Sequence, residues 1–367
     1  MSHAAFNPFL NPEPRQHERD HFHREEVALA NRNSGILLET LRHDVTPLGM
    51  HYLLNHFDVP FVPDARDWSV TISGSVTSPL TISLDEIARL PSKTLHVTLE
   101  CAGNGRANMT PRWPSMPWME GAVGTSDWTG TPLRHVLQRA GLKPDAVHVV
   151  CFGRDRGYDK IEHNYGRALT PEMAMSDDVL LVTAMNGQPL LPQHGFPLRL
   201  VVPGWYGMAS VKWLDRIEVW DRPFDGPQQV ATYIFRTTKD DPGVPVTRLR
   251  VKSLMVPPGM PDWYTRRRIV DRGPVMLHGR AWSGNGVPIT TVEFACDGRW
   301  QTAKLDDAVA SKYAWRGWSC VWDAEPGEHE IACRATDGEG ATQPLDAVFD
   351  QGGFGNNTVH RVPVTVR

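Results

Sequence analysis

The residues with the clearest potential for chemistry form the stretch LECAGNGR at positions 99–106. It follows a run with strand-like alternation at residues 95–99, so the thiol of Cys101 stands at the end of a predicted strand. A thiolate is a soft metal ligand, and the nearby cation of Arg106 favours the deprotonated thiol. Free cysteines are also often buried as structural residues. A structural thiol before a tight turn is therefore the alternative interpretation.

Composition limits the classes of function. The 367 residues have a net charge of −4, with 41% hydrophobic and 22% charged residues. This length allows two domains with separate cores, and the charge gives no reason to expect binding to nucleic acid or to a membrane. No apolar run approaches the roughly 20 residues of a membrane span. We find no secretion or twin-arginine signal at Met1, so we expect a cytoplasmic protein whose five cysteines are free thiols.

The elements of the first part of the chain mix short helices with strands. A capping box formed by Ser83 and Glu86 predicts one helix, and a second is predicted to begin at Thr131-Pro132 and to end at Gly141. Strand-like runs lie at residues 70–76, 146–152, 179–184, 198–202 and 217–220. This pattern predicts an α+β domain with a mixed sheet. No glycine-rich nucleotide-binding motif opens a helix, which argues against a Rossmann or P-loop domain.

The two ends of the chain differ from this domain. Residues 1–66 are polar and irregular, and we interpret them as an extension packed on the first domain. Three histidines of this extension are predicted to belong to a solvated segment rather than to a metal site: His17, His21 and His23.

Residues 239–245 are the best candidate for a linker. Beyond them, short strands dominate at residues 275–282, 290–296, 318–322, 329–335 and 362–366, separated by Gly-containing turns. Such spacing is typical of an immunoglobulin-like β-sandwich. We therefore predict a first domain at 1–245 and a sandwich at 246–367.

Taken together, five segments resemble the sulfite oxidase family, which includes the eukaryotic-type nitrate reductases. They cover both predicted domains and occur in the order LNHFDVP at 54–60, ECAGNGR at 100–106, MNGQPL at 185–190 with HGFPLRLVVPG at 194–204, VKWL at 211–214, and NNTVHRV at 356–362. The resemblance favours a metal ligand over a structural thiol at Cys101. It implies an α+β molybdopterin-binding domain followed by an immunoglobulin-like dimerisation domain.

The resemblance also implies the roles of individual residues. Cys101 would be the thiolate ligand of molybdenum in a molybdenum cofactor (Mo-molybdopterin). Arg106 would line the substrate pocket, and the phenol of Tyr233 would hydrogen-bond the metal oxo group or the incoming oxyanion. The residues implied to hold the cofactor are Asn55, His56, Asp155, His194, Arg199 and Lys212.

Two departures from the family pattern concern the substrate. In sulfite oxidases an arginine precedes the Asn-His pair, and a second precedes the C-terminal Asn-Asn motif; here Leu54 and Gly352 stand at those positions. Each charge-assisted hydrogen bond contributes roughly 1.5–3 kcal/mol, so affinity for sulfite could fall by orders of magnitude. Either another arginine compensates, the candidates being Arg154, Arg167 and Arg316, or the substrate is less anionic.

The resemblance implies an oxidoreductase, with oxidation of sulfite to sulfate as the first choice. No haem or flavin module is recognisable, so electrons would pass to a separate acceptor, and residues 246–367 would form a homodimer. One alternative is a same-fold reductase of a sulfoxide, an N-oxide or nitrate, which Leu54 favours. Another is a non-catalytic module whose cofactor site has decayed.

Overall fold

The helices of this protein are few and short. The computed structural model describes residues 23–159, 161–238, 240–307 and 311–367. Over these residues the α-helices are α1 (Arg24–Arg32), α2 (Leu84–Ala88), α3 (Leu133–Ala140), α4 (Pro171–Ala174) and α5 (Pro227–Val230). None of them is long and apolar enough to cross a membrane. Strands therefore form most of the scaffold.

The first part of the chain is built on two principal sheets. Its strands are β1 (Ser69–Gly74), β2 (Leu80–Ser83), β3 (Lys93–Glu100), β4 (Val123–Pro132), β5 (His148–Asp159), β6 (Ile161–Leu169), β7 (Leu180–Met185), β8 (Gln188–Pro189), β9 (Arg199–Val201), β10 (Leu214–Trp220), β11 (Ile234–Phe235) and β12 (Val244–Pro245). One sheet has the order β2-β1-β10-β5-β6; the other has the order β3-β4-β7-β8, with β9 also on β7. The β1–β10 pair is parallel and its neighbours are antiparallel, which confirms the predicted mixed sheet.

The second part of the chain contains strands and no α-helix among its described residues. The strands are β13 (Lys252–Met255), β14 (Met260–Pro261), β15 (Arg268–Val270), β16 (Gly273–Trp282), β17 (Ile289–Cys296), β18 (Arg299–Thr302), β19 (Lys304–Leu305), β20 (Arg316–Ala324), β21 (Gly327–Asp337) and β22 (His360–Val366). They form one sheet of order β13-β16-β20-β19 and a second of order β14-β15-β22-β21-β17-β18. Buried side chains such as Phe294, Trp318 and Val364 form a core of their own. The predicted α+β fold followed by an all-β sandwich is confirmed.

Local sequence explains most of the element boundaries. The Ser83 hydroxyl accepts a hydrogen bond from the Glu86 N–H at 3.2 Å, and the Glu86 carboxylate accepts one from the Ser83 N–H at 2.9 Å, so the capping box of α2 is confirmed. Helix α3 ends before Gly141 as predicted, but it begins at Leu133 rather than at Thr131. The reason is that Thr131 and its neighbour extend β4 and pair with β7.

The predicted linker at 239–245 and the histidine cluster of the N-terminal extension can both be compared, in part, with the structure. Asp241, in the predicted linker, caps the turn between β11 and β12, because its carboxylate accepts hydrogen bonds from the N–H groups of Thr237 at 3.1 Å and of Gly243 at 2.8 Å. Of the histidine cluster, His17 and His21 lie outside the described residues. His23 precedes α1, and its N–H donates to Glu26 at 3.2 Å.

A buried polar network joins the two parts of the chain beside the 99–106 stretch. The Nζ of Lys252 lies 3.5 Å from the Glu100 carboxylate and 3.3 Å from that of Glu120. The same carboxylate of Glu100 accepts hydrogen bonds from Trp282 at 2.9 Å and from Asn104 at 3.0 Å. Because Lys252 and Trp282 come from the sandwich, the second part of the chain fixes the loop that follows β3.

Candidate active site

A cavity of about 640 Å³, measured with its open mouth, lies beside the end of β3. Its wall contains every predicted site residue except Asn55 and Arg106. The lining residues are His51, Tyr52, Leu53, Leu54, His56, Leu99, Cys101, Asp155, Tyr165, His194, Arg199, Gly207, Met208, Ser210, Lys212 and Tyr233.

Cys101 presents a buried thiol to this cavity. It directly follows β3, and its N–H donates to the carbonyl of Ala122 at 2.9 Å, which fixes the backbone at the cavity edge. Its own carbonyl accepts the N–H of Asn104 at 3.0 Å and closes the turn. Burial raises the pKa of the thiol, while the positive charge of Arg106 acts against that rise. A bound metal cation would stabilise the thiolate further.

Arg199 is a buried cation held by backbone carbonyls. Its guanidinium donates to the carbonyls of His194 at 3.0 Å and Ser210 at 3.1 Å, and it lies 4.8 Å from the centre of the Trp128 ring. Burial lowers its pKa to about 10, so it remains charged at neutral pH. A guanidinium has five N–H donors, and these carbonyl bonds leave some of them for a ligand in the cavity.

Lys212 provides a second basic group on the same wall. Its Nζ donates to the carbonyls of Leu54 at 2.8 Å and Gln193 at 2.9 Å, and also to the side-chain oxygen of Asn55. Asn55 therefore lies behind the wall, where it positions the lysine. Burial, and then the charge of Arg199, lower the pKa of Lys212 well below its usual value. An anion placed in the cavity would favour its charged form.

The histidines of the wall are neutral at physiological pH. Burial lowers the pKa of His56 to about 3, of His51 to about 4 and of His194 to about 2, with nearby cations acting in the same direction. His56 stacks on Tyr165 at 4.7 Å, and His51 contacts His194 edge-on at 5.5 Å. The rings are therefore fixed hydrogen-bonding groups that add no charge to the cavity.

Tyr233 reaches the cavity from the segment that precedes β11. Its hydroxyl lies 2.5 Å from Nε2 of His56, and its ring lies 5.1 Å from that of Phe354. Its backbone has φ = +56°, a left-handed conformation that bulky residues rarely adopt and that is often found at functional sites. Burial raises the pKa of the phenol, so the group keeps its proton at neutral pH.

Asp155 is a residue of the cavity wall whose buried carboxylate has one unsatisfied oxygen. Its buried Oδ1 accepts no hydrogen bond from the described residues, and burial raises its pKa to about 7 despite the opposing charge of Lys212. Buried polar atoms are normally satisfied, so this oxygen fits a ligand that donates an N–H or O–H. A pterin carries such donors, and the thiol and the cations suit its metal and its phosphate. The residues present therefore fit a molybdenum cofactor.

Arg106 does not line the cavity. Its guanidinium lies behind the 99–106 turn, where it donates to the carbonyls of Gly352 at 3.0 Å and Met116 at 2.9 Å. Two glycines permit this position, since a Cβ at Gly103 would lie 2.5 Å from the guanidinium and one at Gly353 would lie 2.6 Å from the Arg106 side chain. Its contact with substrate stays a prediction.

The three candidate compensating arginines differ in position. Arg154 stacks on Trp68 at 3.8 Å and pairs with an aspartate, and Arg316 donates to backbone carbonyls of the sandwich at 2.9 and 3.1 Å. Arg167, in contrast, is buried with its guanidinium carbon 5.8 Å from the centre of the Tyr233 ring, and its Nε has no hydrogen-bond partner among the described residues. Arg167 is thus the candidate beside the cavity.

Several wall residues were not predicted from the sequence. Tyr165 packs on His56 and donates its hydroxyl to the carbonyl of Met208 at 2.7 Å. The hydroxyl of Ser210 accepts the N–H of Val202 at 3.1 Å. β6 (Ile161–Leu169) carries both Tyr165 and Arg167, but its sequence IEHNYGRAL lacks a regular apolar alternation, and the strand was not predicted. The sequence therefore contains no signal for Tyr165, whereas Arg167 was among the three candidate arginines.

Comparison with known proteins agrees with this geometry. The family profile described as oxidoreductase molybdopterin binding domain matches residues 56–228, and that described as Mo-co oxidoreductase dimerisation domain matches residues 244–367. NADH nitrate reductase 2 of Phaseolus vulgaris is 32% identical over 90% of this chain and 40% of its own length. The NADH nitrate reductase of Lotus japonicus is 33% identical over 91% and 40%.

A solved structure extends the comparison. The sulfane dehydrogenase SoxCD of Paracoccus pantotrophus superimposes with a TM-score of 0.77 at 27% identity, covering 90% of this chain and 84% of that one. The chain spans about 40% of the length of the curated nitrate reductases. With a molybdopterin-binding domain, a dimerisation domain and this fold, the chain belongs to the sulfite oxidase family of molybdenum-cofactor oxidoreductases.

Proposed function

We propose that this oxidoreductase oxidises a small sulfur oxyanion, with sulfite as the first candidate. The observation that carries the proposal is a pair of buried guanidinium groups, those of Arg106 and Arg167, whose charges act on the Tyr233 phenol beside Cys101. The wall histidines are neutral, and Arg199 and Lys212 are assigned to the phosphate of the cofactor, so the positive charge left for a substrate is that of the two guanidinium groups. A water-poor site with this balance favours anions.

The wall residues would divide into those that hold the cofactor and those that face the substrate. When bound, the cofactor supplies two-electron oxygen-transfer chemistry at molybdenum, with Cys101 as its protein ligand. Arg199 and Lys212 would neutralise its phosphate, and the unpartnered Oδ1 of Asp155 would accept a hydrogen bond from its pterin ring. The remaining holding residues are Asn55, His56 and His194, with Asn55 acting through Lys212.

Tyr233 would orient the oxyanion. Its phenol is protonated, because burial raises its pKa, and it lies 2.5 Å from the neutral His56. The hydroxyl can donate either to His56 or to an anionic oxygen in the cavity, so it can hold a proton at the point where negative charge arrives. Arg106 adds positive charge from behind the 99–106 turn.

Arg167 would restore part of the charge that Leu54 and Gly352 lack. Loss of two charge-assisted hydrogen bonds removes about 3–6 kcal/mol, or about 10²–10⁴-fold in affinity. The buried guanidinium of Arg167 acts across the Tyr233 ring at 5.8 Å, so it is a positioning residue for that phenol. Its own pKa is lowered by burial and raised by the neighbouring tyrosines.

Nitrate reduction is the second candidate. Two observations favour it: the curated relatives are NADH nitrate reductases at 32–33% identity, and Leu54 places an apolar side chain on the cavity wall. Nitrate carries one negative charge where sulfite carries up to two, so it needs fewer cations.

Steady-state kinetics would separate these substrates. We expect the molybdenum-loaded protein to oxidise sulfite with ferricyanide as acceptor, with a kcat/KM above its value for nitrate reduction by reduced viologen. Sulfite turnover absent from loaded protein that reduces nitrate would overturn the sulfite proposal and support the second candidate. Protein that purifies without molybdenum or pterin would instead support a decayed, non-catalytic site.

The remaining features of the proposal concern assembly. We propose domains at 1–245 and 246–367, a homodimer formed through the second, and a separate electron acceptor. The match of a dimerisation profile to residues 244–367 supports the first two points. The five free thiols are consistent with a reducing, cytoplasmic location.

A further inference from the structure

A second cluster of metal-ligating side chains lies in the sandwich, away from the cavity. Cys296 ends β17, Asp297 begins the turn to β18, and His329 lies on β21, which pairs with β17. Among the described residues, this is the one group of three such side chains whose ligand atoms converge within 4.8 Å. The function proposed above does not use it.

The three ligand atoms form a triangle of suitable size. The Cys296 Sγ lies 3.7 Å from the Asp297 Oδ2 and 3.7 Å from the His329 Nδ1, and these last two atoms are 2.8 Å apart. Tetrahedral zinc with bonds of about 2.3 Å to sulfur and about 2.0–2.1 Å to nitrogen and oxygen separates its ligands by about 3.3–3.6 Å. Opening the short N–O edge by about 0.5 Å therefore seats the ion.

Hydrogen bonds from the surroundings already orient two of these ligands. The Nε2 of His329 donates to the carbonyl of Glu325 at 2.9 Å, so Nδ1 faces the cluster, and a metal ion that displaces the Nδ1 proton held against Asp297 would bind the lone pair left there. The Oδ1 of Asp297 accepts the N–H of Glu330 at 3.0 Å, which turns Oδ2 inward. Metal-binding histidines commonly donate their second N–H to a backbone carbonyl in this way.

We propose that Cys296, Asp297 and His329 form a binding site for a divalent ion of the zinc type, with its fourth position open to water. One thiolate, one imidazole and one carboxylate suit Zn²⁺ better than Mg²⁺ or Ca²⁺, which prefer oxygen ligands. The bound ion would link β17 to β21 at one end of the sheet and stabilise the sandwich. Without a metal ion, His329 and Asp297 form an ion pair with each other.

Cobalt is the most direct probe, because a thiolate bound to Co²⁺ gives a charge-transfer band in the near ultraviolet. The full-length protein, treated with a chelator and loaded with molybdenum, is titrated with Co²⁺ and then with Zn²⁺. We expect one Co²⁺ per chain with a thiolate band, displacement of that band by Zn²⁺, and a rise in Tm on adding Zn²⁺.

Variants locate the site. Cys296→Ser should abolish the thiolate band, and His329→Ala should weaken Zn²⁺ binding by at least about 100-fold, since loss of even outer-shell partners costs about 10–100-fold. Cys320→Ser is the matched control: this second part-buried thiol of the sandwich lies 3.3 Å from the Gln301 amide and should leave the band unchanged. Circular dichroism without metal checks that each variant is folded.

The alternatives are distinct outcomes of the same titration. Absence of stoichiometric binding overturns the site and leaves the ion pair. A thiolate band that survives in Cys296→Ser, or that is lost in Cys320→Ser, also overturns it, because the ion would then lie elsewhere.

Discussion

Among the described residues, Lys252 is the only cation that contacts the buried carboxylates of Glu100 and Glu120; its Nζ lies 3.5 Å from the first and 3.3 Å from the second. Replacing Lys252 by methionine removes this charge. The lysine and Glu100 side chains are each 2% exposed, and that of Glu120 is 16% exposed. Breaking a buried pair by removing one partner costs about 3–5 kcal/mol. Methionine fills a similar volume, so the loss reports charge rather than a cavity.

Linkage gives the pH dependence of this pair. Its carboxylates raise the pKa of Lys252 above the usual lysine value although burial acts in the opposite direction. A raised lysine pKa contributes stability that is fully present below the unfolded pKa, about 10.4, and is lost as pH rises through the folded value. The difference between wild type and Lys252→Met should therefore be large at pH 7 and shrink in strong alkali.

Urea unfolding followed by tryptophan fluorescence measures this loss. Lys312→Met is the matched control, because Lys312 is 58% exposed in its 3.3 Å pair with Asp178 and should cost under about 1 kcal/mol. Adding Glu120→Gln to Lys252→Met should recover part of the stability, since it removes one unpaired carboxylate. A Lys252→Met loss of stability equal to that of Lys312→Met would show that the buried ion pair stabilises the fold no more than an exposed one.

Three further predictions concern the cavity. Tyr233→Phe should lower kcat about 100-fold at unchanged molybdenum content, because it removes the hydroxyl 2.5 Å from His56; an unchanged kcat contradicts its role. Arg167→Met should raise KM for sulfite about tenfold, while Arg154→Met should leave it unchanged. Equal KM values in the two variants would rule out a role of Arg167 in positioning the substrate. The pKa of Asp155 is raised from 3.8 to about 7, so the folded protein binds more protons between these values and stability falls as pH rises through that window. Asp155→Asn in cofactor-free protein should remove this fall, as unfolding free energies at pH 5 and pH 8 would show.

The strands of the fold could be predicted where apolar residues alternate, and β5, β7, β10 and the long strands of the sandwich are confirmed. β4 (Val123–Pro132) was not predicted, because its sequence VGTSDWTGTP lacks an apolar period. It is nevertheless buried almost throughout, since it lies between β3 and β7 and pairs with both. Its threonines are satisfied locally, as in the 2.6 Å contact between the hydroxyls of Thr98 and Thr125. Pairing with β3 and β7, rather than the strand propensity of its own residues, therefore determines that this segment is a strand.

The sequence motifs predicted which residues belong to the candidate site, but not how these residues are arranged in space. Cys101, His194, Arg199 and Lys212 converge because the ends of β3, β9 and the turn before β10 meet around one cavity. The position of Arg106 was not predictable, because it depends on a carbonyl of Gly352 that is 246 residues away in sequence. Nor does the sequence show which of several arginines packs against the Tyr233 ring.

Cys101 is proposed to bind a molybdenum centre that takes electrons from substrate. The most direct measurement combines molybdenum quantification with sulfite-dependent reduction of the metal centre, followed by its electron paramagnetic resonance signal. Cys151→Ser is the matched control, because this thiol is fully buried in β5 and lies off the cavity wall. We expect one molybdenum per chain and reduction by sulfite in wild type and Cys151→Ser, with reduction lost in Cys101→Ser. A Cys101→Ser protein that sulfite reduces like wild type would show that Cys101 is not the ligand.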